Sequence, residues 1–227
     1  MRDDVKETIK GRVDKCLEVS PNEISTWRIF KIMAEFVAGF EFLSKYDKTA
    51  SFFGSSKFDS GNEYYKEAEK LASMLSEDGF AVVTGGGPGI MEAANKGATE
   101  AGGQSGGLNI KLSEGQRENG YVKESESFNY FFTRKVMLSF ASEVYVFFPG
   151  GFGTLDEFFE IITLVQTKKI EPIPVILVGV DYWTPILSWI KDDVYGKYDA
   201  IKESDMDIYH LVENAEQAFA LTKKLVK

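Results

Sequence analysis

Cysteine and histidine are almost absent from this sequence. Its 227 residues include one cysteine, Cys16, and one histidine, His210. A disulfide framework within the chain is therefore excluded, and a zinc site built from cysteine and histidine nearly so. Ser-His-Asp or Cys-His catalysis would have to use His210, and an ordinary histidine, either hydrogen-bonded or exposed, is the stronger interpretation.

Long hydrophobic runs and an excess of positive charge are also missing. No segment reaches the roughly 18 apolar residues of a membrane-spanning helix, and the charged start of the chain lacks the apolar region of a signal peptide. We therefore expect a cytoplasmic protein with no membrane partner. The 26 Lys and Arg against 35 Asp and Glu give a net charge of −9. That balance argues against a nucleic-acid polymer as partner, but it allows a small anionic ligand.

The sequence does contain enough apolar residues, 44% of the total, to bury a core. Short apolar runs at 51–53, 80–84, 106–110, 144–148 and 175–178 predict five strands, and amphipathic helices separate them. Strands that alternate with helices predict an α/β fold, here a Rossmann-like doubly wound parallel sheet. Right-handed crossovers then bring every strand-to-helix turn to one edge of the sheet, where ligands bind.

The N-terminal part of the chain shows helical patterns without strands. We therefore expect residues 1–48 to form an N-terminal helical extension and residues 49–227 the Rossmann-like domain. Ser20, Pro21 and Glu23 have the spacing of a helix start with a capping box. The segment 27–43 is too rich in Ile, Phe, Met and Ala for a free surface helix, so we expect it to pack on the main domain or on a second copy of the chain.

Two glycine clusters, at 85–89 and 150–153, stand directly after a strand and before a helix. A helix N-terminus offers unpaired N–H groups and about half a positive charge, and glycine lets an anion approach the backbone closely. The two turns therefore predict a phosphate cradle. Neither has the Gly-Lys-Ser/Thr of a P-loop, and Ile90 occupies a place where the dinucleotide fingerprint needs glycine. A ligand with a single phosphate is favoured over NAD; the structural alternative is that the glycines only form tight turns.

Three charged residues near these turns have both structural and functional interpretations. Thr154 and Glu157 have the spacing of a capping box, which spacing alone favours; the functional interpretation directs Glu157, in the first helical turn, at a ribose. Arg134 is in line with an apolar stripe of its helix. A partly buried guanidinium there would bind an anion or form a structural salt bridge. Lys135 points elsewhere on the helix, and we expect it to be solvated.

Three segments resemble the motifs of one family. Residues 149–157, P-G-G-F-G-T-L-D-E, match the P-G-G-x-G-T-x-x-E motif of the LOG proteins, the cytokinin riboside 5′-monophosphate phosphoribohydrolases. Residues 85–94 resemble their first glycine motif in its long bacterial form, and residues 134–137 resemble their R-K-x-x-M motif. The resemblance runs from about residue 27 to the C-terminus. Phe152 departs from the tyrosine that short members often have, so a hydroxyl role at that position is in doubt.

The resemblance implies hydrolysis of the N-glycosidic bond of a nucleoside 5′-monophosphate, such as AMP or a cytokinin ribotide, to free base and ribose 5-phosphate. It implies Arg134 and Glu157 as the catalytic pair. It implies neither a cofactor nor a metal, and it implies a homodimer, or a larger homo-oligomer, with active sites near the subunit interface. The implied phosphate- and nucleotide-binding residues are Gly54, Ser55, Gly86, Gly87, Gly89, Gly150, Gly151, Gly153 and Thr154.

Other functions remain open on the sequence. Similar proteins are often labelled lysine decarboxylases, but no lysine here stands in a context that suggests a pyridoxal phosphate Schiff base. A non-catalytic nucleotide-binding or molybdenum-cofactor carrier protein of the same fold would use the same glycine turns without chemistry. An NAD-linked oxidoreductase is disfavoured by the incomplete fingerprint.

Overall fold

A computed structural model describes residues 25–111 and 118–226. Over these residues, seven strands form one parallel sheet in the order β4-β3-β2-β1-β5-β6-β7. The strands are β1 (Thr49–Phe53), β2 (Ala81–Thr84), β3 (Ser105–Ile110), β4 (Glu124–Phe128), β5 (Val144–Phe147), β6 (Val175–Val178) and β7 (Tyr209–Val212).

Helices connect these strands and cover the sheet. They are α1 (Ser25–Leu43), α2 (Glu63–Glu77), α3 (Ile90–Glu100), α4 (Phe131–Ser139), α5 (Phe152–Gln166), α6 (Val180–Trp189) and α7 (Ala215–Leu225). A π-helical segment, Ile190–Tyr195, continues α6, and a 3-10 helix, Glu203–Ile208, precedes β7.

The central strands are buried on both faces, and alternate residues enter two separate cores. Phe52 and Val146 pack with α2, α3 and α7 on one face, whereas Phe53 and Phe147 pack with α1, α4, α5 and α6 on the other. Because side chains alternate along a strand, a strand covered by helices on both faces needs an unbroken apolar run. The predicted Rossmann-like doubly wound α/β fold is confirmed.

Two strands were not expected from the sequence, and they are the two edge strands, β4 and β7. β4 has the sequence E-S-E-S-F, and only Phe128 at its end is fully buried. β7 contains His210 and is only partly buried until Val212. An edge strand needs no continuous apolar run, so the pattern that identifies the central strands is missing from both.

Helix α1 packs on the sheet with one side only. Phe42 is buried in the core, and Gly39 lies so close to Met137 of α4 that a β-carbon at this position would be 2.5 Å from the Met137 sulfur. Six large apolar side chains on its other side are 51–63% exposed: Trp27, Ile29, Phe30, Met33, Val37 and Phe40. The predicted capping box at residues 20–23 lies outside the described residues, as does Cys16. None of the helices described here is both long and apolar enough to cross a bilayer.

Candidate active site

A cleft of about 540 Å³ opens at the carboxyl ends of β1 and β5. The sheet order reverses between these strands, because β1 leads through α2 to β2 on one side while β5 leads through α5 to β6 on the other. Such a switch point leaves a crevice between diverging loops. Eight of the residues implied by the resemblance line the cleft: Gly54, Ser55, Arg134, Gly150, Gly151, Gly153, Thr154 and Glu157.

The loops after β1, β2 and β5 are held together at the floor of this cleft by Ser55. The Ser55 N–H donates to the Pro149 carbonyl (2.9 Å), and the Ile90 N–H donates to the Ser55 carbonyl (3.0 Å). This packing leaves no room for side chains: a β-carbon on Gly54 would lie 2.6 Å from the Ile90 side chain, and one on Gly150 would collide with Thr154 Oγ1. Glycine is therefore required at both positions by close approach of the loops.

Helix α5 begins at Phe152 with Gly151 as its N-cap, and glycine has no side chain to accept the N–H groups of the first turn. The capping-box interpretation is therefore wrong: Thr154 lies inside the helix as its third residue. Glu157 lies in the second turn rather than the first. Phe152 is 92% exposed and does not line the cleft. Gly151, Gly153 and Thr154 of this N-terminus line the cleft, and the backbone N–H groups at a helix start suit an anion.

The first glycine turn differs from the prediction, because Gly86, Gly87 and Gly89 do not line the cleft. The carbonyls of Gly86 and Gly87 accept hydrogen bonds from Asn119, both at 2.9 Å. Gly86 and Gly89 have φ values of +72° and +74°, which side chains rarely adopt. A β-carbon on Gly89 would also collide with the Ser55 carbonyl. The tight-turn interpretation accounts for glycine at positions 86 and 89, and a nucleotide-binding role of this turn stays a prediction; of its glycines, Gly85 reaches the cleft.

Glu157 forms a buried wall of the cleft. The residue is 7% exposed, and within the described part of the chain its Oε2 atom is buried without a hydrogen-bond partner. Burial raises the pKa of the Glu157 carboxyl, and the nearby cations Lys135 and Arg134 partly oppose that rise. An unsatisfied buried carboxylate oxygen is costly in a fold and is typical of sites that receive a ligand.

Lys135 is not solvated as the sequence suggested. Its ammonium lies 2.6 Å from Asp156 Oδ2, 2.6 Å from Glu160 Oε2 and 3.5 Å from Glu157 Oε1. The lysine therefore connects α4 to three carboxylates on one side of α5. Its helical position next to Arg134 gave no sign of this, because the neighbouring helix supplies all three partners.

Arg134, on α4, also lines the cleft. Its Nε donates to the Leu108 carbonyl at the end of β3 (2.7 Å), and its guanidinium carbon lies 5.9 Å from the centre of the Phe131 ring. A β-carbon on Gly85 would collide with Arg134 Nη2. Burial lowers the pKa of the Arg134 guanidinium, and the negative charge of Glu157 opposes that effect. An arginine retains its proton in such a setting, so the cleft combines a fixed positive charge with a buried carboxyl group.

The remaining candidates for chemistry lie elsewhere. His210, on the edge strand β7, does not line the cleft. Over residues 25–111 and 118–226, no group of three or more His, Cys, Asp or Glu side chains is arranged to hold a metal ion.

Comparison with known proteins identifies the family. The model of a family described as "Possible lysine decarboxylase" matches residues 91–222, more than half of the chain. A probable cytokinin riboside 5′-monophosphate phosphoribohydrolase of Oryza sativa subsp. japonica is 32% identical over 66% of this chain and 72% of its own. A cytokinin riboside 5′-monophosphate phosphoribohydrolase of Arabidopsis thaliana is 30% identical over 82% of this chain and 85% of its own. The chain belongs to the LOG family.

Solved structures similar to this LOG-family chain confirm the fold. A structural genomics target is 25% identical with a TM-score of 0.61, covering 78% of this chain and 99% of its own. The molybdenum cofactor binding protein of Rippkaea orientalis is 21% identical with a TM-score of 0.59, covering 79% and 98%. At 21% identity, the similarity to the molybdenum cofactor binding protein concerns the fold alone.

Proposed function

We propose that this protein hydrolyses the N-glycosidic bond of nucleoside 5′-monophosphates, AMP or cytokinin ribotides, to the free base and ribose 5-phosphate. The observation that carries the proposal is the buried Glu157, with one oxygen unpartnered among the described residues, on the wall of a cleft that also contains Arg134. The names of the plant relatives support the same reaction.

The 5′-phosphate binds at the start of α5. The backbone of Gly151, Gly153 and Thr154 supplies N–H donors and the positive end of the helix dipole, while Gly54 and Ser55 line the cleft opposite. A phosphate held here is remote from the bond that breaks. Its binding energy fixes the ribose against Glu157 and contributes to the rate through orientation.

Cleavage adds water across the bond between C1′ and the base. The bond electrons leave with the base, which takes up a proton, and the water oxygen joins C1′. Positive charge develops at C1′ and the ring oxygen, where the Glu157 carboxylate stabilises it, orients the ribose hydroxyls or accepts the proton of the attacking water. Arg134 binds the phosphate or pairs with Glu157, and in either role it favours the ionised carboxylate.

A non-catalytic carrier is the competing function. A carrier needs the glycine turns but gains nothing from a buried carboxylate facing the cleft, which makes ligand anions harder to bind and weakens the fold. Glu157 therefore favours the enzyme. A carrier would bind AMP and release it unchanged.

We also propose a homodimer that assembles through the exposed apolar side of α1. On α4, which packs against α1, Phe131 is half-exposed as well and lines the cleft. Apolar patches of this kind are typical of protein interfaces. A homodimer is also what the family resemblance implies.

The test of the reaction is a panel of nucleoside 5′-monophosphates, nucleosides and nucleoside triphosphates, with free base and ribose 5-phosphate separated by chromatography. We expect base release from monophosphates in particular. The Glu171→Gln variant, changed in an exposed loop after α5, is the matched control and should retain full activity. Binding of AMP without adenine release would support the carrier instead, and equal cleavage of nucleosides would contradict the phosphate-binding role of α5.

A further inference from the structure

The N-terminal turn of α4 is held by a residue from α1. The N-cap of α4, Tyr130, makes no capping hydrogen bond with its side chain. Glu35 accepts hydrogen bonds from the residues around this cap: Oε1 accepts from the Asn129 N–H (2.7 Å) and Asn129 Nδ2 (2.9 Å), and Oε2 accepts from the Tyr130 N–H (3.3 Å). The Thr133 hydroxyl, in the first turn of α4, also lies within hydrogen-bond distance of Oε2. The Glu35 carboxylate thus contacts Asn129, Tyr130 and Thr133 at the start of α4.

A carboxylate is the suitable group for this place. The donors at a helix N-terminus have no partners within their own helix, and the helix dipole favours a negative charge there. Hydrogen bonds from an N–H to a charged oxygen are also stronger than those to a neutral one.

The two helices also pack closely one turn further along, which supports the contact of Glu35 with the start of α4. Gly39 follows Glu35 by four residues on the same side of α1, and it faces the Met137 side chain of α4 and the Phe128 ring of β4. Four residues separate Tyr130 from Arg134, whose N–H donates to the Tyr130 carbonyl at 3.3 Å. The position of the first turn therefore sets the positions of the cations that follow it.

We propose that Glu35 is a positioning residue for the candidate active site: by holding the start of α4 it keeps Arg134 and Lys135 in place against Glu157. The part of this inference that concerns turnover rests on the proposed function. It gives the N-terminal helix a role in the site, although no atom of α1 lines the cleft.

The experiment compares Glu35→Ala and the isosteric Glu35→Gln with Glu41→Gln, which changes an exposed glutamate on the same helix. The first readout is amide hydrogen exchange. The amides of Asn129 and Tyr130 should exchange about tenfold faster in both Glu35 variants, the loss expected for a charge-assisted hydrogen bond. The central strands should keep their protection, and Glu41→Gln should behave as the unchanged protein.

The second readout is the pKa of Glu157, measured by 13C NMR of its carboxyl group without substrate. The titratable groups that interact electrostatically with Glu157 are Lys135 and Arg134 from α4, Asp156 from α5 and the Tyr145 hydroxyl from β5, and Glu160 of α5 shares the Lys135 ammonium. Lys135 and Arg134 both lower the pKa of Glu157, and both are on α4. Releasing the first turn of α4 should therefore raise the pKa of Glu157 and move the acid limb of the pH–rate profile to higher pH. Turnover of AMP should fall about ten- to a hundredfold, as for a small misplacement of catalytic groups.

A purely structural role would lower the amount of folded protein without moving the Glu157 pKa. Unchanged exchange at Asn129 and Tyr130, or faster exchange with an unchanged Glu157 pKa, would overturn the inference. If the unchanged protein releases base from no nucleotide, the proposed function fails, while the exchange and NMR readouts still test the positioning role. Should Glu35→Ala not fold, Glu35→Gln keeps the side-chain volume and serves in its place.

Discussion

Lys135 Nζ lies 3.5 Å from Glu157 Oε1, and this contact joins the two helices that carry the candidate catalytic pair. The same ammonium contacts Asp156 and Glu160, so α5 presents three carboxylates to one cation from α4. Burial favours the neutral form of Glu157, whereas Lys135 and Arg134 favour the ionised form. The pKa of Glu157 therefore depends on burial and on these two cations, and a single substitution can shift it.

Replacing Lys135 with methionine should shift the pH dependence of base release. In the proposed reaction Glu157 acts as a carboxylate, so activity should be present above its pKa and be lost as the pH falls through it. Lys135 lowers that pKa, and its removal should move the acid limb of the pH–rate profile to higher pH. The measurement is turnover of AMP as a function of pH.

The matched control for that experiment is Lys135→Arg, which keeps the positive charge and should keep the acid limb near its original position. Lys169→Met, changed in an exposed turn after α5, should leave both the limb and the rate unchanged. A lower rate with an unmoved acid limb in Lys135→Met would show that the lysine acts on structure rather than on the ionisation of Glu157.

Replacing Glu157 with glutamine should remove most turnover without unfolding the protein. The loss of one positioned charge commonly costs about a hundredfold or more in rate. The pKa of Glu157 is raised in the folded state, so its contribution to stability is present at low pH and is lost as the pH rises through that pKa. At neutral pH the neutral glutamine should therefore keep or increase the melting temperature, and the gain should shrink as the pH falls. Thermal unfolding at several pH values checks this.

The turnover and the melting temperature of Glu157→Gln together also test whether Glu157 has only a structural role. If Glu157→Gln melts well below the unchanged protein at neutral pH while its folded fraction still hydrolyses AMP, the carboxylate serves the fold and the proposed reaction must use another group. Glu171→Gln provides the baseline for both measurements.

The sequence was sufficient to predict the centre of the sheet and the location of the cleft. Runs such as residues 144–148 are apolar throughout because helices cover both faces, and the rule of right-handed crossovers brings the glycine turns to one edge. Arg134 and Glu157 were selected through the family resemblance, because spacing alone favoured a capping role for Glu157 and left Arg134 between an anion site and a structural salt bridge. Both residues line the same cleft, which agrees with that selection, and their catalytic role stays a prediction.

The rest depends on contacts between elements, which no local pattern records. The edge strands β4 and β7 lack the apolar run, since one side of each is unpaired. The start of α5 at Phe152 is decided by the packing of Gly150 against Gly54 and Thr154, although Thr154 and Glu157 have the spacing of a capping box. Lys135 is indistinguishable from a solvated lysine until α5 is packed beside α4.

Replacing Gly85 with alanine should lower turnover while preserving the fold. The added β-carbon would collide with Arg134 Nη2 and lie 2.9 Å from the Met91 sulfur. Both atoms are at the far ends of flexible side chains, so the guanidinium can move aside at a cost of about 1 kcal/mol or less. A displaced Arg134 should nevertheless reduce the rate of base release, because orientation at the reacting centre is lost.

Gly120→Ala is the matched control for Gly85→Ala, because a β-carbon on Gly120 meets no atom within 4 Å. It should change neither the melting temperature nor the rate. If Gly85→Ala retains full activity, the guanidinium position does not matter to the reaction, and Arg134 loses its assigned role.

Replacing Phe30 and Phe40 together with aspartate should convert the proposed homodimer into monomers. Both side chains belong to the exposed apolar side of α1, and burying such surface favours association by about 25 cal/mol per Å². Two charges placed there would have to be desolvated on association. Sedimentation velocity should give the mass of two chains for the unchanged protein and of one chain for the variant. Tyr198→Asp, changed at an exposed aromatic residue in the turn after the π-helical segment, should remain a dimer; a dimer that survives in the double variant would place the interface elsewhere.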